Sequence, residues 1–138
     1  PDVIIKHVGT SRGSVAAAGG TQWLPIIVGD RRAREILMLG KELKAKEALA
    51  WGLINQVVPR RKLDSAVEAM VETLVNKLPE CTRYTKEQLN FWRNFSWAMT
   101  IGHAKDWLTV HTSAPEITEG IRAFQEKRPI DYKKLRRK

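Results

Sequence analysis

A glycine pair ahead of an apolar stretch is the part of this sequence that best suits binding or chemistry. Gly19–Gln22 reads Gly-Gly-Thr-Gln and is followed by Trp23–Pro25. Backbone N–H groups at a helix N-terminus bind anions and stabilise negative charge that develops in a reaction. The spacing matches neither a Walker A loop nor a complete dinucleotide-binding glycine fingerprint. Glycines before a helix also serve turn geometry alone, and both interpretations stay open.

Few residues are candidates for acid–base catalysis, metal binding or thiol chemistry. His103 and Asp106 are three residues apart on a predicted helix, and His111 follows them, but no third metal ligand is evident and His7 lies far away in sequence. A structural or surface role is the alternative, and no metal site is predicted. Cys81 is the single cysteine and has no adjacent base, which argues against a nucleophile, a disulfide or a cysteine zinc cluster.

Short strands and short helices are predicted to position the glycine pair. Val3–Ile5 is a β-branched run typical of a buried strand, and residues 55–58 read as a second strand ended by Pro59. Three short helices are predicted between them. They lie at residues 21–27 with Thr21 as a cap, at 31–39 with Asp30 as a cap and Gly40 as the stop, and at 45–51 with Gly52 as the stop.

The rest of the chain is predicted to be helical. Residues 63–78 carry one apolar stripe at helical spacing, which Pro79 ends: Leu63, Val67, Met70, Val71, Leu74, Val75 and Leu78. Further helices are expected at residues 82–95, at 97–111, and from Pro115 to Pro129. We therefore predict two domains, residues 1–62 and residues 63–138.

The charge points to an anionic partner. The chain of 138 residues has a formal net charge of +9, with 24 Lys and Arg against 15 Asp and Glu. Nucleic acid and a phosphate-bearing cofactor are both candidates. A basic tail contributes Lys133, Lys134, Arg136, Arg137 and Lys138, although terminal residues are commonly only solvated. Helix-turn-helix, RNP and zinc-finger signatures are missing, so nucleic acid is the less favoured partner.

Bulk composition favours an ordinary globular protein. The chain is 43% hydrophobic and 28% charged, and it has no apolar run of membrane-spanning length. The first residues carry no basic leader, and the single cysteine suits a reducing compartment, so a cytoplasmic setting is expected. Because position 1 is Pro rather than Met, we expect a fragment, a processed product or a trimmed chain.

The order of motifs resembles the crotonase (enoyl-CoA hydratase/isomerase) superfamily. A loop of small residues leads to Gly19–Pro25. Residues 33–40 then read Ala-x-Glu-x-x-x-Leu-Gly, and residues 45–59 read Ala-x-Glu-Ala-x-x-x-Gly-Leu-Ile-Asn-x-Val-Val-Pro. Glu119–Arg128 is similar to the closing segment of that family. The stretch from Gly13 to Gly20 is most similar to ring-processing members, such as cyclohexadienoyl-CoA hydratases and 6-oxocyclohex-1-ene-1-carbonyl-CoA hydrolases.

The resemblance implies a fold and an assembly. The expected fold is a helix-rich α/β structure, the last part of a crotonase ββα spiral (1–62) followed by an all-helical C-terminal oligomerisation domain with a basic tail (63–138). Homotrimers or hexamers are expected. The implied substrate is an acyl-CoA, with coenzyme A as part of the substrate and no permanently bound cofactor. Both backbone donors of the family's oxyanion hole would lie before Pro1, so the chain would need the N-terminal half of the same protein.

The resemblance also assigns site residues. Phe124 and Lys127 match the family's C-terminal pair that meets coenzyme A; a core Phe124 and a solvated Lys127 are the alternative. The implied acyl pocket is formed by Gly9, Gly13, Ala17 and Trp23. Core packing is the favoured alternative for Trp23, and Trp92, Trp97 and Trp107 are expected in a core or a subunit interface rather than as substrate-lining residues. Arg12 could face the site and hold an anionic group.

The catalytic carboxylates of the family are missing at the positions that can be checked. Hydratases place a glutamate where this chain has Gly9, and some relatives place an aspartate where it has Ala17, next to Ala16. Hydration of an enoyl thioester uses carboxylates as general base and acid. The catalytic residues are therefore unknown from these positions, and ordinary two-glutamate hydration is disfavoured.

Three functions remain to be distinguished. The leading one is part of an acyl-CoA hydratase, isomerase or hydrolase that acts through a stabilised enolate and is incomplete as a lone chain. The second is a helical assembly module without catalysis. The third, less favoured, is a nucleic-acid-binding protein.

Overall fold

Helices form most of the structure. The computed structural model describes residues 2–136, without the side chain of residue 134, so the tail residues Arg137 and Lys138 lie outside the described part. The strands and helices follow in the order β1 (Ile4–Ile5), α1 (Gly20–Val28), α2 (Asp30–Met38), β2 (Leu43–Lys44), α3 (Ala45–Ala50), α4 (Leu63–Val75), α5 (Pro79–His111), α6 (Pro115–Gln125) and α7 (Tyr132–Leu135). Single 3₁₀ turns lie at Thr10–Arg12 and Arg60–Lys62.

The core of the first part lies where α1, α2 and α3 meet the strand pair. β1 and β2 are antiparallel, with Ile4 opposite Lys44 and Ile5 opposite Leu43. The buried cluster consists of Val28, Ala33, Ile36, Leu43 and Ala48. The prediction of a buried first strand is wrong in part, because Val3 and Ile4 remain about 60% exposed. Ile5 packs against the buried cluster, whereas Ile4 points to the opposite face of the strand.

The short helices match the predicted positions but differ in their caps. Helix α1 begins at Gly20, and its N-cap is Gly19, whose backbone N–H donates to Oε1 of Gln22 at 3.1 Å. Thr21 was expected as the cap and instead lies inside the helix, where its hydroxyl donates to the Ala16 carbonyl. Gly40 and Gly52 follow α2 and α3 with positive φ, as predicted for helix ends.

The second predicted strand is wrong. Residues 55–58 form no strand in the structure of residues 2–136, because no neighbouring segment there pairs with them. The predicted division between residues 95 and 97 is also wrong, since α5 runs unbroken over 33 residues. The segment around Ser96 contains neither glycine nor proline, and nothing interrupts the hydrogen-bond ladder.

The second part of the described chain is helical, as expected. Helix α5 packs on α1, whereas the contacts of α4 are mainly with the turn that precedes it. The α4 stripe (the seven apolar residues from Leu63 to Leu78 named above) is therefore half or more exposed along its whole length. Helix α6 ends at Gln125 instead of near Pro129, and α7 follows that proline. The structure confirms a helix-rich α/β fold. None of the helices in residues 2–136 is long and apolar enough to cross a membrane.

Candidate functional site

Two glycines bring the loop of residues 9–20, here called the small-residue loop, against α6. A Cβ on Gly120 would overlap the carbonyl oxygen of Arg12, and a Cβ on Gly13 would overlap the carbonyl oxygen of Glu116. Gly13 also has φ +71°, in the left-handed region that favours glycine. The two backbones touch directly, so this contact fixes where the loop stands relative to α6.

His111 ties the same loop to α5. The side chain is buried, and its Nε2 lies 2.9 Å from the carbonyl oxygen of Gly13, to which it donates a hydrogen bond. Its ring lies against Trp107, with ring centroids 4.7 Å apart. Gly13 is thus held by α6 on one side and by α5 on the other, and His111 has a structural role rather than that of a metal ligand.

The residues predicted to meet coenzyme A share a cleft at the end of α6. This α6 cleft of about 460 Å³ is lined by Arg12, Phe124 and Lys127, among others. The Arg12 guanidinium stacks 4.0 Å from the centre of the Phe124 ring, and Phe124 remains 62% exposed. A cation on an aromatic face is a favourable pair, and the open part of the ring leaves room for a planar group. The cleft combines an aromatic surface with cations suited to phosphate.

Lys127 has an unusual backbone conformation. Its φ is +53°, and it is the only residue other than glycine with a positive φ within residues 2–136. The Arg128 N–H donates to the Ala123 carbonyl and the Lys127 N–H to the Phe124 carbonyl, the hydrogen bonds of a Schellman helix end. Glycine is the relaxed residue at that position, so a lysine there carries backbone strain.

An ion-pair network fixes the segment after α6. Arg128 holds Glu119 through both guanidinium Nη atoms and reaches Glu126 through Nε at 2.6 Å. The hydrogen bonds from Arg128 hold the pKa of Glu119 below its usual range, and both carboxylates raise the pKa of Arg128. Because Arg128 is occupied in this way, Arg12 and Lys127 are the cations of the α6 cleft that have more freedom to contact an anion.

The small-residue loop borders a second cleft against α5. This loop cleft of about 340 Å³ is lined by Ala17, Gln22, Ala104 and Trp107, among others. Ala16 and Ala17 are both buried, so methyl groups stand where a catalytic acid was sought. These methyl groups offer no proton donor, although Thr21, Thr100 and His103 add polar side chains to the lining of the loop cleft.

Trp23 lies against α5. Its Nε1 donates to the Arg93 carbonyl at 3.1 Å, and its ring lies 5.4 Å from that of Trp97. A Cβ on Gly19 would come 2.7 Å from the Trp23 ring. The ring therefore packs between the small-residue loop and α5. This is the packing role that the sequence indicated as the alternative to an acyl-pocket role.

His7 is the polar side chain at this loop that sequence reasoning missed. The Gly9 N–H donates to Nδ1 of His7 at 3.2 Å, and a Cβ on Gly9 would lie 2.8 Å from Cε1 of the same ring. The imidazole therefore fills the space into which a side chain at position 9 would project. The available signal in the sequence was that His7 lies two residues before Gly9. It was overlooked because His7 is far in sequence from the other histidines.

The remaining candidates do not form a metal site. His103 and Asp106 line a large recess of about 980 Å³ where α5, α6 and α7 meet. Residues 2–136 contain no group of three His, Cys, Asp or Glu side chains that could hold a metal ion. Cys81 is exposed near the start of α5.

A family model and several solved structures match this chain. A family model described as enoyl-CoA hydratase/isomerase matches residues 4–136. The chain is similar to the crystal structure of an enoyl-CoA hydratase from Mycobacterium avium subsp. paratuberculosis, at 26% identity and a TM-score of 0.85, over 94% of this chain and 52% of that one. It is also similar to a carnitinyl-CoA hydratase from Mycobacterium avium, at 27% identity and a TM-score of 0.80, over 90% of this chain and 49% of that one. The chain thus spans about half the length of these structures.

Proposed function

Because the chain belongs to the enoyl-CoA hydratase/isomerase family, we propose that it is part of an acyl-CoA-processing enzyme. The observation that carries the proposal is the α6 cleft, where Arg12, Phe124 and Lys127 offer an aromatic face and two cations to one ligand. Coenzyme A presents an adenine ring and several phosphates, which match those groups in kind. The net charge of +9 favours the same polyanionic ligand.

The proposed chemistry is proton transfer or addition through a thioester enolate. N–H donors would stabilise the enolate oxygen, and the small-residue loop would form one wall of the acyl pocket. The proposed subunit includes a further N-terminal part, since the chain spans about half the length of the structures it matches. We propose an alicyclic acyl group, because the segment 13–20 is similar to ring-processing members and Ala17 contributes only a methyl group to the lining of the loop cleft.

Replacing Lys127 with glycine tests the α6 cleft. We expect Lys127→Gly to raise the free energy of unfolding by about 1 kcal/mol, because glycine relieves the positive φ. The same change should weaken binding of coenzyme A by about threefold to tenfold, because it removes a cation from the phosphate site. Calorimetric titration and denaturant unfolding of the full-length protein measure the two effects.

The matched control is Lys86→Gly, on the exposed surface of α5. It makes the same change of residue and charge, but within a regular helix. It should lower the free energy of unfolding by about 1 kcal/mol and leave coenzyme A binding unchanged. If both variants weaken binding equally, the effect is one of net charge, and the α6 cleft is not the nucleotide site.

A second candidate function is assembly, favoured by the exposed α4 stripe. Its seven apolar side chains face solvent in residues 2–136, as do Phe91, Trp92 and Phe95 on α5. Contiguous apolar surfaces of this kind mark sites of protein–protein contact. The two functions are compatible if the helical part joins subunits and the loop side binds substrate. Salt-dependent binding of arbitrary DNA would instead favour the nucleic-acid alternative.

A further inference from the structure

Within residues 2–136, His103 is the one side chain in the lining of the loop cleft that can exchange a proton near neutral pH. The other lining side chains are aliphatic, hydroxyl, amide and indole groups. His103 also lines the large recess between α5, α6 and α7, together with Asp106. Of these two residues, only His103 reaches the loop cleft, where Ala17 contributes a methyl group.

The hydroxyl and amide side chains of the loop cleft are engaged by hydrogen bonds. The Thr21 hydroxyl donates to a backbone carbonyl at 3.3 Å, and the Thr100 hydroxyl donates to another at 2.6 Å. Oε1 of Gln22 accepts the backbone N–H of the α1 cap at 3.1 Å. The side chain of His103 is exposed, and within residues 2–136 it makes no hydrogen bond or ion pair. His103 is therefore both titratable and uncommitted.

Formation of a thioester enolate requires a group that accepts a proton. A positioned side chain that removes this proton typically accelerates the step by about a hundredfold to ten-thousandfold. Gly9 and Ala17 cannot accept it, because neither carries an ionisable group. A neutral imidazole has one nitrogen with a free lone pair and serves as a general base near neutral pH. His103 therefore supplies the chemistry that positions 9 and 17 lack.

We propose that His103 is a catalytic residue that removes a proton from the substrate carbon next to the thioester carbonyl. The C–H bond breaks, its electron pair passes into the enolate, and an N–H bond forms on the imidazole. The imidazolium then returns the proton to a carbon of the enolate, so the histidine is regenerated. This inference rests on the proposed acyl-CoA function, with the loop cleft as the site of the acyl group.

Charged and titratable groups face His103 from the recess only. They are Asp106 and His111 on α5, Glu116, Glu119 and Arg122 on α6, and Asp131. The pH dependence of the wild-type protein contains contributions from these groups as well. Replacing His103 with another base separates its titration from theirs, because the other groups stay the same.

The test measures exchange of deuterium from heavy water into carbon 2 of butyryl-CoA, followed by proton NMR with the full-length protein. His103→Gln should slow this exchange at least about a hundredfold and change the calorimetric affinity for butyryl-CoA little. His103→Glu should recover part of the rate. Its rate should also persist to lower pH than that of wild type, because carboxylates titrate at lower pH than imidazoles.

The matched control is Lys105→Gln, on the same turn of α5. Lys105 is exposed and lines neither the loop cleft nor the recess. This variant should exchange deuterium at the wild-type rate. Because His103 is also exposed, both of its variants should keep the helical circular dichroism signal of the parent protein.

The outcomes separate the role of His103 from the acyl-CoA function. Unchanged exchange in His103→Gln, or a pH profile of His103→Glu identical to that of wild type, would overturn the role of His103 and leave the acyl-CoA function standing. The same holds if wild type binds butyryl-CoA but exchanges no deuterium. Failure of wild type to bind butyryl-CoA would overturn both.

Discussion

Gly120→Ala should lower the free energy of unfolding by about 2–3 kcal/mol, although alanine is the better helix former. The new methyl group would overlap the Arg12 carbonyl oxygen, which is backbone and cannot rotate away. The gain in helix propensity is only about 1 kcal/mol, so the clash dominates. Denaturant unfolding of the full-length protein measures the change.

The same substitution elsewhere in the chain should have the opposite sign. Gly102 lies inside α5, and a Cβ there meets no atom within 4 Å. Gly102→Ala should therefore stabilise the protein by about 0.5–1 kcal/mol through helix propensity alone. If Gly120→Ala were also neutral or stabilising, α6 would not be seated on the small-residue loop as described.

The Gly120 contact also has a consequence for the ligand. Pushing α6 away from the loop separates Phe124 on the helix from Arg12 on the loop, whose stacking at 4.0 Å depends on that contact. Gly120→Ala should therefore weaken coenzyme A binding together with stability, whereas Gly102→Ala should leave binding unchanged.

The second large effect concerns the α4 stripe and assembly. Met70→Lys combined with Leu74→Lys should weaken subunit association at least about a hundredfold, because an unpaired ammonium is costly to bury at an interface. Both residues are about half exposed within residues 2–136, on the apolar face of α4. Light scattering should show a fall from the oligomer to single subunits, while circular dichroism keeps the helical signal.

Ser65→Lys combined with Thr73→Lys is the matched control for assembly. It adds the same two charges to the same helix, at exposed polar positions off the stripe. The control should keep the mass of the parent protein. An equal loss of mass in both double variants would point to net charge, and an unchanged mass in both would rule out the stripe as a subunit contact.

Local features of the fold could be predicted from the sequence where neighbouring residues decide the conformation. Gly40 and Gly52 ended their helices as expected, and the apolar spacing of residues 63–75 gave a helix. The strand expected at 55–58 failed because a strand requires a partner, which no local pattern supplies. The break expected near Ser96 failed because no residue there interrupts a helix.

The candidate site was less predictable, because it depends on contacts between distant segments. The resemblance to a family indicated Phe124 and Lys127, but the approach of Gly13 to Gly120 and the stacking of Arg12 on Phe124 join residues far apart in the chain. His7 illustrates the same limit at short range. Its contact with Gly9, whose N–H donates to Nδ1 of the ring, is not revealed by a list of polar residues.

We expect this protein to bind an acyl-CoA through both the acyl group and the nucleotide. Calorimetric titration of the full-length protein with butyryl-CoA, and with the butyryl thioester of N-acetylcysteamine, tests it directly. Butyryl-CoA should bind in the micromolar range, and the thioester without a nucleotide should bind at least about tenfold more weakly. Equal affinity for the two thioesters, or no binding of either, would contradict it.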